Sequence, residues 1–455
     1  MENKTDSAAI PSLKRIIGLA SSLLLVAGIM IGTGVFKKIA PMAASGLSSS
    51  GILFAWLAAG IITIFGALSA SALSELTTES GGEYEYIRLA FGQLPAFLFG
   101  WSCFTVIGSA SVAAMSHLFA SSLAALFPSL PMLQTNVALQ SIACVIIILL
   151  TLLNCIGTGI SMMVNNWLTF VKIAGLLFII IGAVLLFQSG EISGSVAMEA
   201  SSNTNNKAWF SMFFAAMLSA FWAYDGWLSV AFMTGEIKDP QKNIPRAIVG
   251  GIALVTVVYV LVNWAFMKVL PLSELAGFTD RQIAATGVSE KIFGNYGSLL
   301  IALLVLVSAL GSLNGIIATY SRMYYKMAQD GFFFKIAGNI GSRSHTPHGA
   351  LLLSSIVSCI LVFSGGFDML TNMIVFAGFV FYCMLAWGVL ILKKKGKISA
   401  VNIGYPFVPV LFIVFSIVLM IHTLVSEPQN TGFGLLLMFS GLPFYLWFRS
   451  TNNKG

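Results

Sequence analysis

Residues 28–34 read Gly-Ile-Met-Ile-Gly-Thr-Gly, which places three glycines inside one long apolar run. A second interruption stands at residues 219–227, Ser-Ala-Phe-Trp-Ala-Tyr-Asp-Gly-Trp, where a carboxylate and a glycine fall in the middle of another apolar run. Glycine weakens a helix interior, and a charged side chain is costly at mid-membrane depth. Each stretch therefore predicts a helix that is broken partway along its length.

The composition places these runs in a membrane. The chain has 455 residues, of which 57% are hydrophobic and 9% charged, and its mean hydropathy is +0.91. Soluble domains carry about a quarter charged residues, so the soluble class is excluded. The apolar stretches predict twelve transmembrane helices, near residues 16–38, 47–74, 90–116, 137–155, 160–187, 209–233, 247–270, 296–325, 350–364, 368–392, 404–424 and 432–449.

The basic residues predict the orientation. If the N-terminus is cytoplasmic, 17 of the 24 Lys and Arg residues lie in cytoplasmic segments and 6 in outer segments, with Lys172 inside a helix. Cytoplasmic loops carry such an excess, so we expect a multi-pass protein of the cytoplasmic membrane with both termini cytoplasmic. The net charge of +7 then results from the orientation in the membrane, and the lysine cluster at residues 393–397 suits contact with anionic lipid. No nucleic-acid partner is expected.

The two broken helices, first and sixth, are equivalent if the chain is two five-helix repeats followed by two further helices. Interrupted helices at matching positions indicate an inverted-repeat transporter with its site at the bilayer midplane, although glycines also allow close helix packing. The predicted fold is an all-α polytopic membrane protein with two inverted five-helix repeats (LeuT-like) plus two C-terminal helices. The expected divisions are a tail at 1–15, repeats at 16–200 and 201–395, and helices 11 and 12 with the C-terminus at 396–455.

The broken turns offer opposite polar groups. An unwound first helix exposes backbone N–H groups at Gly32, Thr33 and Gly34, which suit a carboxylate. An unwound sixth helix exposes carbonyl oxygens of Trp222, Ala223 and Asp225, which suit an ammonium group. Together they predict a site for a zwitterionic α-amino acid.

Three side chains inside the predicted helices have more than one interpretation. Asp225 binds the substrate amine, caps the half-helix after the break or forms a structural pair. Trp222 is a gate over the substrate or a packed aromatic ring. Lys172 lies too deep in its helix to reach water easily, so it is a cation fixed by helix-end carbonyls or a titrating group that couples transport to protons.

Other functional classes have little support in the sequence. The sequence shows no nucleophile paired with a base, no spacing typical of metal ligands and no nucleotide-binding motif. We therefore do not expect an enzyme, and we expect no cofactor or metal site. A channel would need a repeated polar ring, whereas the chain has two broken helices. Without a soluble ATP-binding domain, transport would be driven by gradients.

Several motifs resemble those of one family, the L-type amino acid transporter group of the amino acid–polyamine–organocation superfamily. The chain looks most like its bacterial serine/threonine and alanine–serine–cysteine exchangers, and the resemblance extends from about residue 14 to 449. The matching stretches are residues 28–36, 80–87, 221–227, 234–240 and 244–247, Gly311-x-x-Asn314-Gly315 and residues 441–443.

This resemblance implies an alternating-access transporter and assigns roles to individual residues. The substrate-binding residues it implies, together with those expected above, are Met30, Ile31, Gly32, Thr33, Gly34, Trp222, Ala223, Tyr224 and Asp225. The implied coupling residues are Lys172, Ser308, Ser312 and Asn314. Lys172 matches a lysine that takes the place of a sodium ion in relatives, with Ser308 or Ser312 as its partner, so sodium-independent transport is implied.

The resemblance also bears on partners and cargo. Animal relatives are tethered to a heavy chain through a cysteine in an outer loop, and the corresponding residues 127–136 contain no cysteine. A disulfide-linked heavy chain is therefore not expected. The preferred function is sodium-independent exchange of small neutral L-amino acids of the serine, threonine, alanine and cysteine type. A proton-coupled symporter that uses Lys172 and a carrier of an amino-acid derivative are the alternatives.

Overall fold

The computed structural model describes residues 13–127, 129–188, 206–278, 283–363, 367–398 and 404–452. Nineteen α-helices follow one another in these ranges. The first ten are α1 (Leu19–Met30), α2 (Gly34–Lys37), α3 (Ile39–Ala44), α4 (Ser49–Ser71), α5 (Gly82–Phe91), α6 (Gln93–Ser102), α7 (Gly108–Ala125), α8 (Asn136–Ile156), α9 (Thr158–Gln188) and α10 (Asn206–Tyr224). The others are α11 (Pro240–Val269), α12 (Leu272–Ala276), α13 (Ala284–Phe293), α14 (Gly297–Gln329), α15 (His348–Val362), α16 (Phe367–Lys394), α17 (Phe407–Ser426), α18 (Pro428–Phe439) and α19 (Gly441–Asn452).

The prediction of an all-α membrane protein is confirmed. Within the described ranges, 10 helical segments are long and apolar enough to cross a membrane, and α15, with 15 residues, is a shorter apolar helix. Several of them expose large apolar side chains, such as Phe170 on α9 at 63% and Ile360 on α15 at 64%. Such side chains are stable facing lipid rather than water.

Both predicted helix breaks are present. The first helix ends at Met30 and resumes at Gly34, because Ile31 has φ −73° and ψ 69°, outside the helical region. The sixth ends at Tyr224. Gly226 then has a φ of +85°, which side-chain-bearing residues rarely adopt. A 3₁₀ segment, Ser229–Glu236, continues the chain.

Three features of the helices differ from the sequence prediction. The loop after the second predicted span contains α5, and the loop before the eighth contains α12 and α13. The third span is longer than expected, from Gln93 to Ala125, and includes a π-helical turn at Cys103–Ile107. Short helices of this kind depend on tertiary packing rather than on propensity, so the apolar pattern does not reveal them.

Both ends of the described chain lie on the same side of the bundle, here called the termini side. Ile17 near the first end forms a parallel bridge with Ile237, after the 3₁₀ segment. At the other end the Asn452 side chain donates a hydrogen bond to the carbonyl of Gly331, after α14 (3.0 Å). Most of the predicted tail, residues 1–12, and the predicted repeat boundary at 200/201 lie outside the described residues, so the division into repeats stays a prediction.

Candidate functional site

The two helix breaks face each other across a small cavity. Its volume is about 20 Å³, which leaves room for roughly one water molecule. The conformation is therefore closed around its centre. The lining residues come from both breaks, from α7 and from α14: Ile29, Met30, Gly32, Gly34, Ser111, Met115, Trp222, Ala223, Asp225, Gly226, Ser229, Ile316 and Tyr320.

The first break places Gly34 at this cavity. The N–H groups of Thr33 and Gly34 make no hydrogen bond to the described part of the chain, as expected at the start of a helical segment. The Gly32 N–H, the other expected donor, donates to the Met30 carbonyl (2.7 Å), and Ile31 and Thr33 do not line the cavity. The Thr33 hydroxyl instead donates to the Met115 sulfur (3.4 Å). A Cβ on Gly34 would lie 2.9 Å from the Ala223 Cβ and 3.0 Å from its Cα. Glycine at this position thus permits direct contact between the two breaks.

The carbonyl ends of both broken helices meet at one tyrosine on α11. The Tyr259 hydroxyl lies 2.5 Å from the Met30 oxygen and 2.9 Å from the Ala223 oxygen. The sequence assigns the Ala223 carbonyl to the substrate amine, and the resemblance adds Met30 as a substrate-binding residue. A carbonyl oxygen has two lone pairs, so the Ala223 oxygen retains acceptor capacity beside this contact. The Met30 oxygen also accepts from the Gly32 N–H (2.7 Å), so both of its lone pairs are engaged in this conformation.

The second break positions three predicted residues differently. Asp225 lines the cavity, and its carboxylate accepts a hydrogen bond from the Tyr382 hydroxyl on α16 (3.0 Å). Trp222 also lines the cavity. Tyr224 does not: its hydroxyl donates to the Trp56 carbonyl on α4 (3.1 Å), so its side chain ties the break to a neighbouring helix.

Lys172 lies beneath the first break and is fully buried. Its ammonium donates to the carbonyl oxygens of Gly28 (2.6 Å) and Ile31 (2.9 Å) and to the Ser312 hydroxyl (3.2 Å). An ammonium has three donors, and all three have acceptors here. The positive charge therefore sits at the C-terminal end of α1, where the helix dipole favours a cation.

Two serines of α14 complete the support of the first break. Ser308 donates to the carbonyls of Ile31 (2.9 Å) and Gly32 (2.8 Å). Ser312 lies 3.0 Å from the Gly28 oxygen and 3.1 Å from the Ile29 oxygen. The resemblance implied either serine as the Lys172 partner. Ser312 makes the direct contact, and Ser308 shares the Ile31 carbonyl with Lys172.

Asn314, the fourth predicted coupling residue, is turned toward α8 and α9. Its side-chain oxygen accepts hydrogen bonds from Asn154 (2.9 Å) and Ser161 (3.3 Å), and its amide nitrogen donates to the Ser161 carbonyl (3.0 Å). The structure thus places it in a polar junction of the surrounding scaffold rather than at the break.

Sequence reasoning missed Tyr259, Tyr382 and Met115, which contact the breaks from α11, α16 and α7. Each is a single residue in an apolar helix, and no local pattern distinguishes it. For the two tyrosines the one available signal is that a tyrosine in a buried helix needs a partner for its hydroxyl; Met115 has no such signal. That partner is set by helix packing, which the local sequence does not show.

A buried ion pair joins three elements on the termini side of the cavity. The Arg322 guanidinium on α14 lies 2.8 Å from the Glu236 carboxylate at the end of the 3₁₀ segment, and both side chains are 1% exposed. Thr158, at the start of α9, bonds to both partners. The pair therefore links the segment after the second break to the scaffold.

Breaking this pair should destabilise the protein strongly. Removal of one partner of a buried ion pair leaves an uncompensated charge and costs about 3–5 kcal/mol. We expect Arg322→Met and Glu236→Leu each to lower the melting temperature in detergent, and the double variant to recover much of the loss. Glu79→Gln is the matched control: it breaks a pair with Lys326 whose Glu79 side chain is 63% exposed, worth under about 1 kcal/mol. Equal effects for the buried and exposed pairs would contradict this account.

Comparisons with known proteins show the family of the chain. A family model described as amino acid permease matches residues 17–448. The serine/threonine exchanger SteT of Bacillus subtilis (strain 168) is 31% identical over 438 residues, covering 95% of this chain and 96% of SteT. The b(0,+)-type amino acid transporter 1 of Mus musculus is 30% identical, covering 98% and 91%. The cystine/glutamate transporter of Homo sapiens is 31% identical, covering 97% and 89%.

A solved structure confirms the transporter fold. Mhp1, a nucleobase-cation-symport-1 family transporter in a closed conformation with bromovinylhydantoin bound, superposes with a TM-score of 0.61. The alignment covers 98% of this chain and 96% of Mhp1 at 12% sequence identity. At that identity the likeness concerns the fold alone. It confirms the expected LeuT-like fold.

Proposed function

Because the chain belongs to the amino acid permease family of membrane transporters, we propose that it exchanges small neutral L-amino acids across the cytoplasmic membrane without sodium. The observation that carries this proposal is the closed cavity between the two breaks. Gly34, whose N–H group is free, stands on one side with the free N–H group of Thr33 next to it in the chain, and Ala223 and Asp225 stand on the other side. This arrangement suits the carboxylate and the ammonium group of one α-amino acid.

The size of the cavity supports a small side chain. Met115, Ile316 and Tyr320 complete the wall of the cavity beside the breaks. Because the closed cavity holds only about one water molecule, any amino acid has to displace some of these side chains, and a larger side chain has to displace more of them. Small neutral amino acids therefore need the least rearrangement, and SteT, a serine/threonine exchanger, agrees with that range.

Lys172 supports sodium-independent transport. Its ammonium occupies the place between α1 and α14 where a cation neutralises the carbonyls of the first break. A covalently attached cation cannot dissociate between cycles, so no sodium gradient is needed to fill this position. Exchange follows if the empty carrier returns slowly and a second substrate must bind for the return step.

Two related functions compete with this proposal. In a proton-coupled symporter Lys172 would lose its proton during the cycle, yet all three of its donors have acceptors in the closed state. In a carrier of an amino-acid derivative, the carboxylate and amine sites would remain while the side-chain region enlarges. Both alternatives keep the fold and the site.

Topology and partners complete the proposal. Both described ends lie on the termini side, and the bias of Lys and Arg toward the segments between the helices on that side supports a cytoplasmic orientation for it. We expect the chain to work without a disulfide-linked heavy chain, because residues 127–136 contain no cysteine.

Counterflow in liposomes that contain the purified protein tests the function. Vesicles loaded with unlabelled serine, with alanine or with no amino acid receive labelled serine outside, without sodium. We expect uptake only into the loaded vesicles, since the unloaded carrier returns slowly. Strong uptake into empty vesicles that rises with an acid-outside gradient would instead establish the symporter. Unlabelled competitors modified at the amine or bearing larger side chains then test for a derivative as cargo.

A further inference from the structure

The motif at residues 80–86, Ser-Gly-Gly-Glu-Tyr-Glu-Tyr, has no role in the proposed site, yet it packs against the second broken helix. The Gly81 N–H donates to the Phe232 carbonyl in the 3₁₀ segment (3.2 Å). A Cβ on Gly82 would lie 2.7 Å from the backbone of Ala231 and Phe232. The start of α5 is therefore held directly against the segment that follows the break.

Glu83, the next residue, is buried without a partner. It is 4% exposed, and within the described ranges it makes no hydrogen bond or ion pair. The neighbouring cations are engaged elsewhere, in the pairs Arg88–Glu85 (2.6 Å), Arg322–Glu236 (2.8 Å) and Lys326–Glu79 (2.5 Å). No cation of the described residues therefore neutralises the Glu83 carboxyl.

The other ionisable groups around Glu83 do not supply the missing positive charge. They are Asp225 at the break, Tyr382 on α16, Tyr320 on α14, Cys103 in the π-helical turn and Tyr86 on α5 itself. None of them is a cation at neutral pH. Burial first, and then the negative charge of Asp225, raise the pKa of the Glu83 carboxyl well above its usual range.

A buried carboxylate without a cation costs several kcal/mol, and a proton removes that cost. We propose that Glu83 is a proton-binding site of this carrier, occupied while the site is closed and emptied when the carrier opens on the termini side. Glu83 lies between the substrate cavity and that side, because Ser80 and Gly81 beside it contact Gly235 and Phe232. The proton enters from water on the termini side and returns to it, so exchange carries no net proton.

The direction of the pH effect follows from this cycle and rests on the proposed exchange function. In the open, hydrated state Glu83 has an ordinary pKa of about 4.3, and in the closed state its pKa is raised. Between these two values closing takes up one proton, so the closed population falls by up to about tenfold for each pH unit. We therefore expect exchange to slow as pH rises.

Serine exchange measured at pH 6, 7 and 8, with equal pH on both sides of the vesicle, tests this site. We expect the wild-type rate to fall at least about threefold from pH 6 to pH 8, Glu83→Gln to give a flat profile and Glu83→Asp to keep a slope. Glu290→Gln, which alters an exposed carboxyl on α13, should follow the wild type. A flat wild-type profile, or an unchanged slope in Glu83→Gln, would overturn the proposal.

An infrared measurement separates this site from the transport function. In the purified protein at pH 7, the carbonyl stretch of a protonated carboxyl should be present in the wild type and reduced in Glu83→Gln. An identical band in both proteins would overturn the proton site even if exchange is observed. If the band behaves as expected while the wild type exchanges no amino acid at any pH, the proposed function fails and the proton site stands.

Discussion

Replacing Lys172 by methionine is expected to reduce amino acid exchange at least about 100-fold. Methionine keeps the length of the side chain and removes the charge, so the carbonyls of Gly28 and Ile31 lose a charged donor. Hydrogen bonds to a charged group contribute about 1.5–3 kcal/mol each, and about 1.4 kcal/mol corresponds to a factor of ten. The first break would no longer be held in the closed conformation.

The control for this variant is another lysine. Lys291→Ala removes an exposed cation from the last turn of α13, and we expect its initial rate of counterflow to stay within about twofold of the wild type. If Lys172→Met exchanged serine at the wild-type rate, the lysine would not support the break. If it exchanged at that rate but lost its response to pH, Lys172 would be the titrating group instead.

The second large effect is expected at Gly34. A methyl group there would lie 2.9 Å from the Ala223 Cβ and 3.0 Å from its Cα, and backbone atoms cannot move away as a flexible side chain can. Gly34→Ala should separate the two breaks, block access to the N–H groups and reduce exchange at least about 100-fold. Counterflow measures the rate, and the thermal shift on adding serine measures binding.

Two further glycines make this a graded test. In Gly32→Ala the new methyl meets the flexible end of Met115 at 2.7 Å and the Ser312 hydroxyl at 3.2 Å, so we expect a smaller loss than in Gly34→Ala. Gly432, in α18, has no atom within 4 Å of an added Cβ, and Gly432→Ala should exchange normally. Normal exchange by Gly34→Ala would show that the breaks do not need to touch.

The sequence predicted the two breaks and Lys172 because each is a local conflict. Each feature is a residue type that does not suit the apolar helix around it. The features are the glycines in residues 28–34, the carboxylate of Asp225 and the lysine in the middle of α9. Such conflicts can be recognised without knowing how the helices pack. The structure then adds which atoms resolve them, as when Ser312 and two carbonyls surround the Lys172 ammonium.

The remaining features depend on contacts between distant parts of the chain. Tyr259 joins two carbonyls that lie 229 and 36 residues away, and nothing around it in α11 predicts either contact. Glu83 stands in a polar stretch that reads as a surface loop. It is buried only because Gly81 and Gly82 allow α5 to pack against the 3₁₀ segment.

Substrate-dependent efflux tests the central claim most directly. Liposomes loaded with labelled serine are diluted into sodium-free buffer with or without unlabelled serine, at equal pH on both sides, and the label that leaves is compared with the serine that enters. We predict that label leaves only when serine is present outside, with one molecule leaving for each one that enters. Equal efflux into buffer without amino acid would contradict exchange through the closed site between the two breaks.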